Sequence, residues 1–402
     1  NLMKINKPYL IIEIDFKKII FIVVKYDEES NFEIIFSEIV YFKNFLSQNI
    51  INSDTFFENI KLNLQKIESK TKNIFETATI VVNPEKINCI NVSGYKKLNG
   101  SQISKKDITF ILNENKKIIS NSENDIFFIH LFNSRFSVDK NFFTNPPFGI
   151  HGHFYNQDMT FFTLDRTYIK KIRSILNNCN IRIERLILKS FANSINLFME
   201  KKLENNSTII TLGQERSNIS IFKNESFVFS ENFDFGTDII LKDVSKLCKL
   251  DLKIIKDIVN NLPIEELYKD QNEEYLDKKY FTETSFRKIS LKLIFKIISS
   301  RIDELFEIIY EKNINLSYFK KNNFNVYFLV DDKNLFNNLS FIFAKKFNNK
   351  FSIIFNDVFE DNSLSCVKGA AELVGKGWAK EAIPIVEPKK SIISRFFSNF
   401  FS

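Results

Sequence analysis

The stretch YLIIEIDFKKIIFIVVKYDEESNFEIIFSEIVYF, residues 9–42, holds two apolar runs parted by the turn Asp15-Phe16-Lys17-Lys18, with a third apolar segment near 31–42. Runs of this kind read as strands joined in a β-meander. Working outward, 53–70 (SDTFFENIKLNLQKIESK) sets apolar side chains at helical spacing behind a Ser/Asp cap, and 77–83 (TATIVVN) is a short buried strand stopped by Pro84. Strand, strand, strand, helix, strand signals an α/β unit. The order returns at 207–236 (STIITLGQERSNISIFKNESFVFSENFDFG), again strand, turn, strand, strand, so the chain reads as two related lobes.

Between these units, residues 84–165 change to short alternating strands broken by Asn, Ser and Pro, an inserted α+β subdomain in which Gly94 and Gly100 mark turns and Ser104 begins a helix. Further helices are expected at 167–178, 191–202, near 238–262, 285–312 and 335–347, with strands at 325–330 and 351–355 and a last small-residue helix in SLSCVKGAAELVGKG. The expected division is 1–83 with 166–193 as the first lobe and 84–165 as the inserted subdomain. The second lobe spans 194–375, with a smaller subdomain near 251–300, followed by a linker at 376–388 and a terminal helix at 389–402.

Composition narrows the function classes. The net charge of +7 comes from 56 Lys+Arg interspersed with 49 Asp+Glu, not from a basic stripe, which disfavours nucleic acid. Cys89, Cys179, Cys248 and Cys366 show no CxxC spacing, so neither a zinc site nor a disulfide framework is indicated, and a reducing cytoplasm fits. His151 and His153 form an HxH with no acidic partner nearby, so no metal is expected, and no GxSxG nucleophile motif occurs. No apolar run approaches the ~20 residues of a spanning helix, and a soluble body is expected. Nine glycines in 402 residues leave few loops able to cradle phosphate.

The terminal KKSIISRFFSNFFS, 389–402, is the strongest local pattern. At roughly 100° per residue, Ile392, Ile393, Phe396, Phe397, Phe400 and Phe401 share one half of a helix, and Ser, Asn and Arg395 take the other. With Lys389, Lys390 and Arg395 beside acidic headgroups, this reads as an interfacial anchor on anionic lipid; the alternative is a helix packed on its own domain. So short an anchor binds reversibly and gains most from self-assembly.

The order of elements, together with the strings GYKKLNGSQISKKDI, NPPFGIHGHFYN, ERLILKSFANSINLF, NFDFGTDIILKDVS, SSRIDELFEII and SCVKGAAELV and the amphipathic tail, resembles the bacterial cell-division FtsA family of actin homologues, over nearly the whole chain. The resemblance implies an α/β, actin-like (ribonuclease H-like) two-lobed fold, with 84–165 as an SHS2-like insert taking part in protomer contacts. It implies a cell-division adaptor on the cytoplasmic face of the inner membrane at the septum. Such an adaptor self-associates into filaments, works with other division proteins and receives the acidic C-terminal peptide of the tubulin-like FtsZ. Arg287, Arg301 and Glu304 match the peptide-binding positions; Arg301 and Glu304 can equally pair with each other on an exposed helix face.

The resemblance also implies a nucleotide pocket for ATP with magnesium, and here the pattern is eroded. Asp15 keeps the acidic position of the first turn, but Lys17 and Lys18 stand where glycine is expected. At the second turn, Thr211, Leu212, Gly213, Gln214, Glu215, Arg216 and Asn218 replace a glycine-rich acidic run, and only Gly213 survives. Asp331 and Asp332 occupy a loop expected to hold paired glycines, while Gly236 and Lys256 match. ATP binding is therefore expected to be weak or lost and hydrolysis absent, although Lys17, Lys18 and Arg216 offer charge to a phosphate. The alternatives carried forward are an actin-like ATPase with an unusual pocket and a scaffold of a pilus or secretion machine.

Overall fold

The computed structural model describes residues 7–15, 18–41, 54–123, 125–201, 203–269, 274–282, 284–317, 319–320, 325–331, 342, 345–346, 352–354 and 364–382. Lys17, Asp332, most of the helix expected at 335–347, and the tail with Lys389, Lys390, Ile392, Ile393, Arg395, Phe396, Phe397, Phe400 and Phe401 lie outside the described residues.

In chain order the first part gives β1 (Tyr9–Ile14), β2 (Lys18–Tyr26), β3 (Phe32–Tyr41), α1 (Asp54–Thr71) and β4 (Thr77–Val82). Then come β5 (Asn88–Lys97), α2 (Lys105–Ser122), β6 (Ile126–Val138), β7 (Asn141–Phe143) and β8 (Phe154–Asp165), followed by α3 (Arg166–Asn178), β9 (Arg182–Leu188) and α4 (Lys189–Lys201). The remainder supplies β10 (Ser207–Gly213), β11 (Ser217–Lys223), β12 (Ser226–Phe233), α5 (Asp238–Cys248), α6 (Leu252–Asn260), α7 (Ile264–Lys269), α8 (Leu291–Phe306), β13 (Asn325–Asp331) and β14 (Ser352–Ile354). The last helix among the described residues is Ser365–Gly375, here α9.

Two five-stranded sheets share one topology. In the first, ordered β3-β2-β1-β4-β9, β1 to β3 form an antiparallel meander and β4 and β9 join parallel to β1. In the second, ordered β12-β11-β10-β13-β14, the strands repeat that pattern. The chemistry of β1, β2 and β4 explains their central places: they are almost wholly buried, as strands covered on both faces must be. Parallel pairing brings the carboxyl ends of β1 and β4 together, Ile14 beside Val82, and likewise Gly213 beside Asp331 in the second sheet.

The third sheet, β5-β8-β6-β7, belongs to the inserted region. Its main strands are long, 13 residues in β6 and 12 in β8, not the short ones the Asn- and Ser-rich sequence suggested. Bulges in the β6–β8 ladder absorb the irregular residues without ending the strands. Gly94 corrects the turn reading: it lies inside β5, where Ile111 and Asn115 of α2 press so close that a Cβ would meet them at 2.3 and 2.4 Å.

Three boundaries differ from the sequence reading. The apolar region near 238–262 is broken by Lys249, held left-handed at φ +49°, and Asp251 caps a new helix through Lys253 N–H at 2.7 Å. The long helix begins at Leu291 and not near 285. Most consequential, α9 does not pack in the second lobe: Cys366, Val367, Ala370, Ala371 and Leu373 join the core of the first, and Tyr26 Oη donates to Ala371 O at 2.9 Å. It lies against α4 so closely that a Cβ on Gly369 would sit 1.9 Å from Ala192 O.

The expected linker also begins as structure. Residues just after α9 run beside β6, with Asn133 N–H donating to Lys380 O at 3.0 Å and Ala382 N–H to Leu131 O at 2.9 Å. Trp378 Nε1 donates to Glu225 O at 2.6 Å in the second lobe, and Lys380 Nζ reaches Thr144 O and Asn145 Oδ1 after β7. Glu381, 1% exposed, accepts from Arg185 of β9 at 2.5 Å and from His130 Nδ1 of β6 at 2.7 Å. Leu188 N–H donates to His130 Nε2 at 3.0 Å, which leaves Nδ1 as the donor to Glu381.

Burial alone would raise the Glu381 pKa, but the His130 and Arg185 donors outweigh it and hold the carboxyl below its ordinary value of 4.5. Its contribution is therefore full above about pH 4.5 and lost as pH falls through the lower, folded-state value. Glu381→Ala leaves half-buried Arg185 without this counter-ion and should cost about 3 kcal/mol in denaturant unfolding at pH 7. The wild-type advantage over the variant should shrink below pH 4.5.

Candidate functional site: the crevice between the lobes

The two sheets turn the carboxyl ends of β1, β4, β10 and β13 toward one region, the usual location of ligands in open α/β sheets. Asp15 stands at the end of β1, its N–H donating to Lys18 O at 3.0 Å across the first turn. Its carboxylate accepts from Asn83 Nδ2 at 2.9 Å and pairs with Lys189 Nζ. That ammonium, at the first position of α4, also stands 2.8 Å from Glu13 Oε1. Burial alone would lower the Lys189 pKa; Asp15 and Glu13 outweigh it and hold the group well above its ordinary value.

On the opposite side, Arg216 fills the β10–β11 turn and is 14% exposed. It donates through Nη2 to Glu85 Oε1, just past β4, and pairs through Nε with Asp234 Oδ1, each at 3.2 Å. Half-buried Tyr168 feels both sides: burial first, then the Asp15 carboxylate, push its phenol above the ordinary range.

Gly213 and Gly236 come together, but with each other. A Cβ on Gly236 would lie 2.2 Å from Gly213 O. Thr237 and Asp238 N–H, at the start of α5, donate to Gly213 O at 2.9 Å and Gln214 O at 2.8 Å, so amides that could face a phosphate already hold carbonyls. Asp238 accepts from Gln214 Nε2 at 3.1 Å, which adds negative charge at that helix start.

Of the residues singled out for the nucleotide, Asp15, Lys18, Gly213 and Gly236 therefore belong to the two turns. Lys256 is half-buried on α6, and among the described residues no ion pair or hydrogen bond ties it to either turn. Arg216, read as a charge for phosphate, is committed to two carboxylates. Among the described residues the donor set fits magnesium-ATP poorly: Lys189 and Arg216 are paired with carboxylates, and the first amides of α5 hold carbonyls of the opposing turn.

Glu13 and Lys189 were missed by sequence reasoning. The available signal was Glu13 itself, a charge inside the apolar run YLIIEI, which demands a buried partner.

The FtsZ-tail positions lie elsewhere, along α5 and α8. Arg287 Nη2 donates to Cys248 O at 2.7 Å and Lys249 O at 3.2 Å, capping the end of α5. Arg301 pairs with Asp243 of α5 and, through Nη1, with Glu304 Oε2 at 2.8 Å. The two arginines thus meet one helix little more than a turn apart. At the HxH, His151 Nδ1 contacts Gly100 O at 3.0 Å and His153 N–H donates to Asp139 Oδ2 at 2.8 Å, contacts that fix turns. Among the described residues no group of three potential ligands could hold a metal, and no helix is long and apolar enough to cross a membrane.

No family model matches the chain. Over 223 residues it is 19% identical to the cell division protein FtsA of Neisseria meningitidis serogroup B, covering 56% of this chain and 53% of that protein. Over 196 residues it is 20% identical to FtsA of Buchnera aphidicola subsp. Schizaphis graminum, covering 49% and 46%. The chain is similar in sequence to FtsA proteins. It spans about half the length of these FtsA relatives. Among solved structures, a PilM-PilN type IV pilus biogenesis complex matches with a TM-score of 0.55 at 10% identity, over 95% of this chain and 100% of that one. That likeness concerns the fold, which is actin-like.

Lys189→Met removes the ammonium that stands between Glu13 and Asp15, and should cost about 3–5 kcal/mol near pH 7. Urea unfolding at pH 7.5 checks this.

Proposed function

We propose that the chain is a non-hydrolysing adaptor of bacterial cell division that tethers FtsZ filaments to the cytoplasmic face of the membrane and self-associates. The observation that carries the reading is its similarity to FtsA proteins. The actin-like fold supports it, as does the tail sequence, whose Ile392, Ile393 and four Phe share one helical half flanked by Lys389, Lys390 and Arg395. An anchor of that size suits a protein that assembles side by side. The internally neutralised crevice supports an adaptor in preference to an ATPase.

For the FtsZ C-terminal peptide, the α5–α8 face offers Arg287 and Arg301, with exposed Leu247, Phe286 and Leu293 on the same elements or the segment between them. An arginine fork pairs carboxylates in two-point fashion, so an acidic peptide would exchange with Asp243 and Glu304. Fluorescence anisotropy of a labelled FtsZ C-terminal peptide should show Arg301→Ala weakening binding about tenfold, near 1.4 kcal/mol. Unchanged affinity would remove this face from the proposal.

Sedimentation with anionic vesicles tests the tether. The full chain should pellet, and a chain lacking 389–402 should stay in the supernatant. Equal pelleting of both would favour the pilus- or secretion-type scaffold, recruited by protein contacts. Micromolar, magnesium-dependent ATP binding in a titration would favour the ATPase alternative.

A further inference from the structure

Contacts between the lobes in the crevice form a continuous polar bridge. Arg216 of the second lobe reaches Glu85, in the loop that leaves β4 of the first, at 3.2 Å. Beside it, Asn232 Nδ2 of β12 donates to Pro84 O at 2.7 Å and Asn83 Oδ1 at 3.4 Å. Asn218 Nδ2 donates to Asn232 Oδ1 at 2.7 Å and orients that amide. Deeper in, Ser230 Oγ donates to Ser190 Oγ at 3.0 Å, and Cys89 Sγ meets Ser230 O and N at 3.3 Å each. On the first-lobe side the bridge runs on through Asn83 to Asp15 and Lys189.

These contacts lie at the carboxyl ends of the central strands, where a nucleotide shared by the lobes of an actin-like protein would carry its phosphates and cation. Each charge role has an internal holder. Lys189 is the cation beside the first-turn acid. Glu85 and Asp234 are the anions facing the second turn.

We propose that this bridge takes the place of a bound nucleotide: Arg216 with Glu85, backed by Asn232 on Asn83 and Pro84, pins the two lobes at one fixed spacing with no ligand required. The inference rests on the adaptor reading of the crevice but makes a separate claim about conformation. A nucleotide-dependent relative would need its ligand to hold the lobes, whereas this chain would present one closed shape to its partners at all times. The cross-lobe pair, its arginine largely shielded and its glutamate at the rim, has one hydrogen bond of its own beside those of Asn232, so its loss should be felt along the bridge.

The experiment uses the full chain and its Arg216→Ala, Glu85→Ala and doubly substituted variants, read by small-angle scattering and amide hydrogen exchange along β12. Each single variant should enlarge the radius of gyration and speed exchange at Asn232 and its neighbours about tenfold. The double variant should be no worse than either single one, because both remove the same pair. Arg216→Lys keeps the charge but loses the fork, and should fall between; it also serves if Arg216→Ala fails to fold. Wild-type scattering should not change on adding magnesium-ATP.

Folded variants with wild-type exchange and dimensions would overturn the proposal, as would additive effects of the two single substitutions. Lobe closure of the wild type by magnesium-ATP would also overturn it. Calorimetric ATP binding with no change in scattering would instead sink the nucleotide-free reading and leave the bridge intact.

Discussion

The placing of the two lobes depends on the backbone contact between α4 and α9. α4 leaves the first sheet to begin the second, and α9 follows the second sheet but buries its apolar face in the first lobe. Each helix thus belongs to both halves of the chain. Gly369 makes the crossing possible, because any side chain there would occupy the space of Ala192 O. Cys366, Val367, Ala370, Ala371 and Leu373 can then all be buried, at about 1.5–3 kcal/mol for each full-sized aliphatic side chain. Small residues in SCVKGAAELV are a consequence of that closeness.

With the lobes so placed, topology alone directs four strand ends into one crevice, and the side chains there decide its use. A phosphate site needs uncommitted cations and amides. Here Lys189 sits between two carboxylates, Arg216 spans Glu85 and Asp234, and the first amides of α5 bond the carbonyls of the opposing turn. An incoming anion would have to displace the shielded Lys189 pairs, and breaking a buried pair by withdrawing one partner is costly. The same fold therefore supports a different economy of charge from the one its shape suggests.

Much of this was legible in the sequence. The meander at 9–42, its return at 207–236 and the inserted region between them follow from apolar runs and turn residues, local properties that the sheets then repeat. Asp15 and the lone Gly213 marked the two turns. Less legible was anything decided by distant pairing. Arg216 reads as a free charge until Glu85, 131 positions away, is brought beside it. Glu13 reads as a flaw in a strand until Lys189 is placed opposite. Gly94 looks like a turn because only the packing of α2 shows why a strand would need a glycine. The late start of α8 had a similar origin: residues before Leu291 are drawn into other contacts, among them Arg287 on the end of α5.

The segment 376–382 has a mechanical meaning. Trp378 is fastened to the second lobe, Lys380 to the inserted sheet, and Glu381 to the first lobe and that sheet together. A tug arriving along the chain from beyond Ala382 is thus shared among all three bodies at their common seam. Such a junction hauls the whole molecule as one piece, and tension on the terminus does not by itself pry the lobes apart.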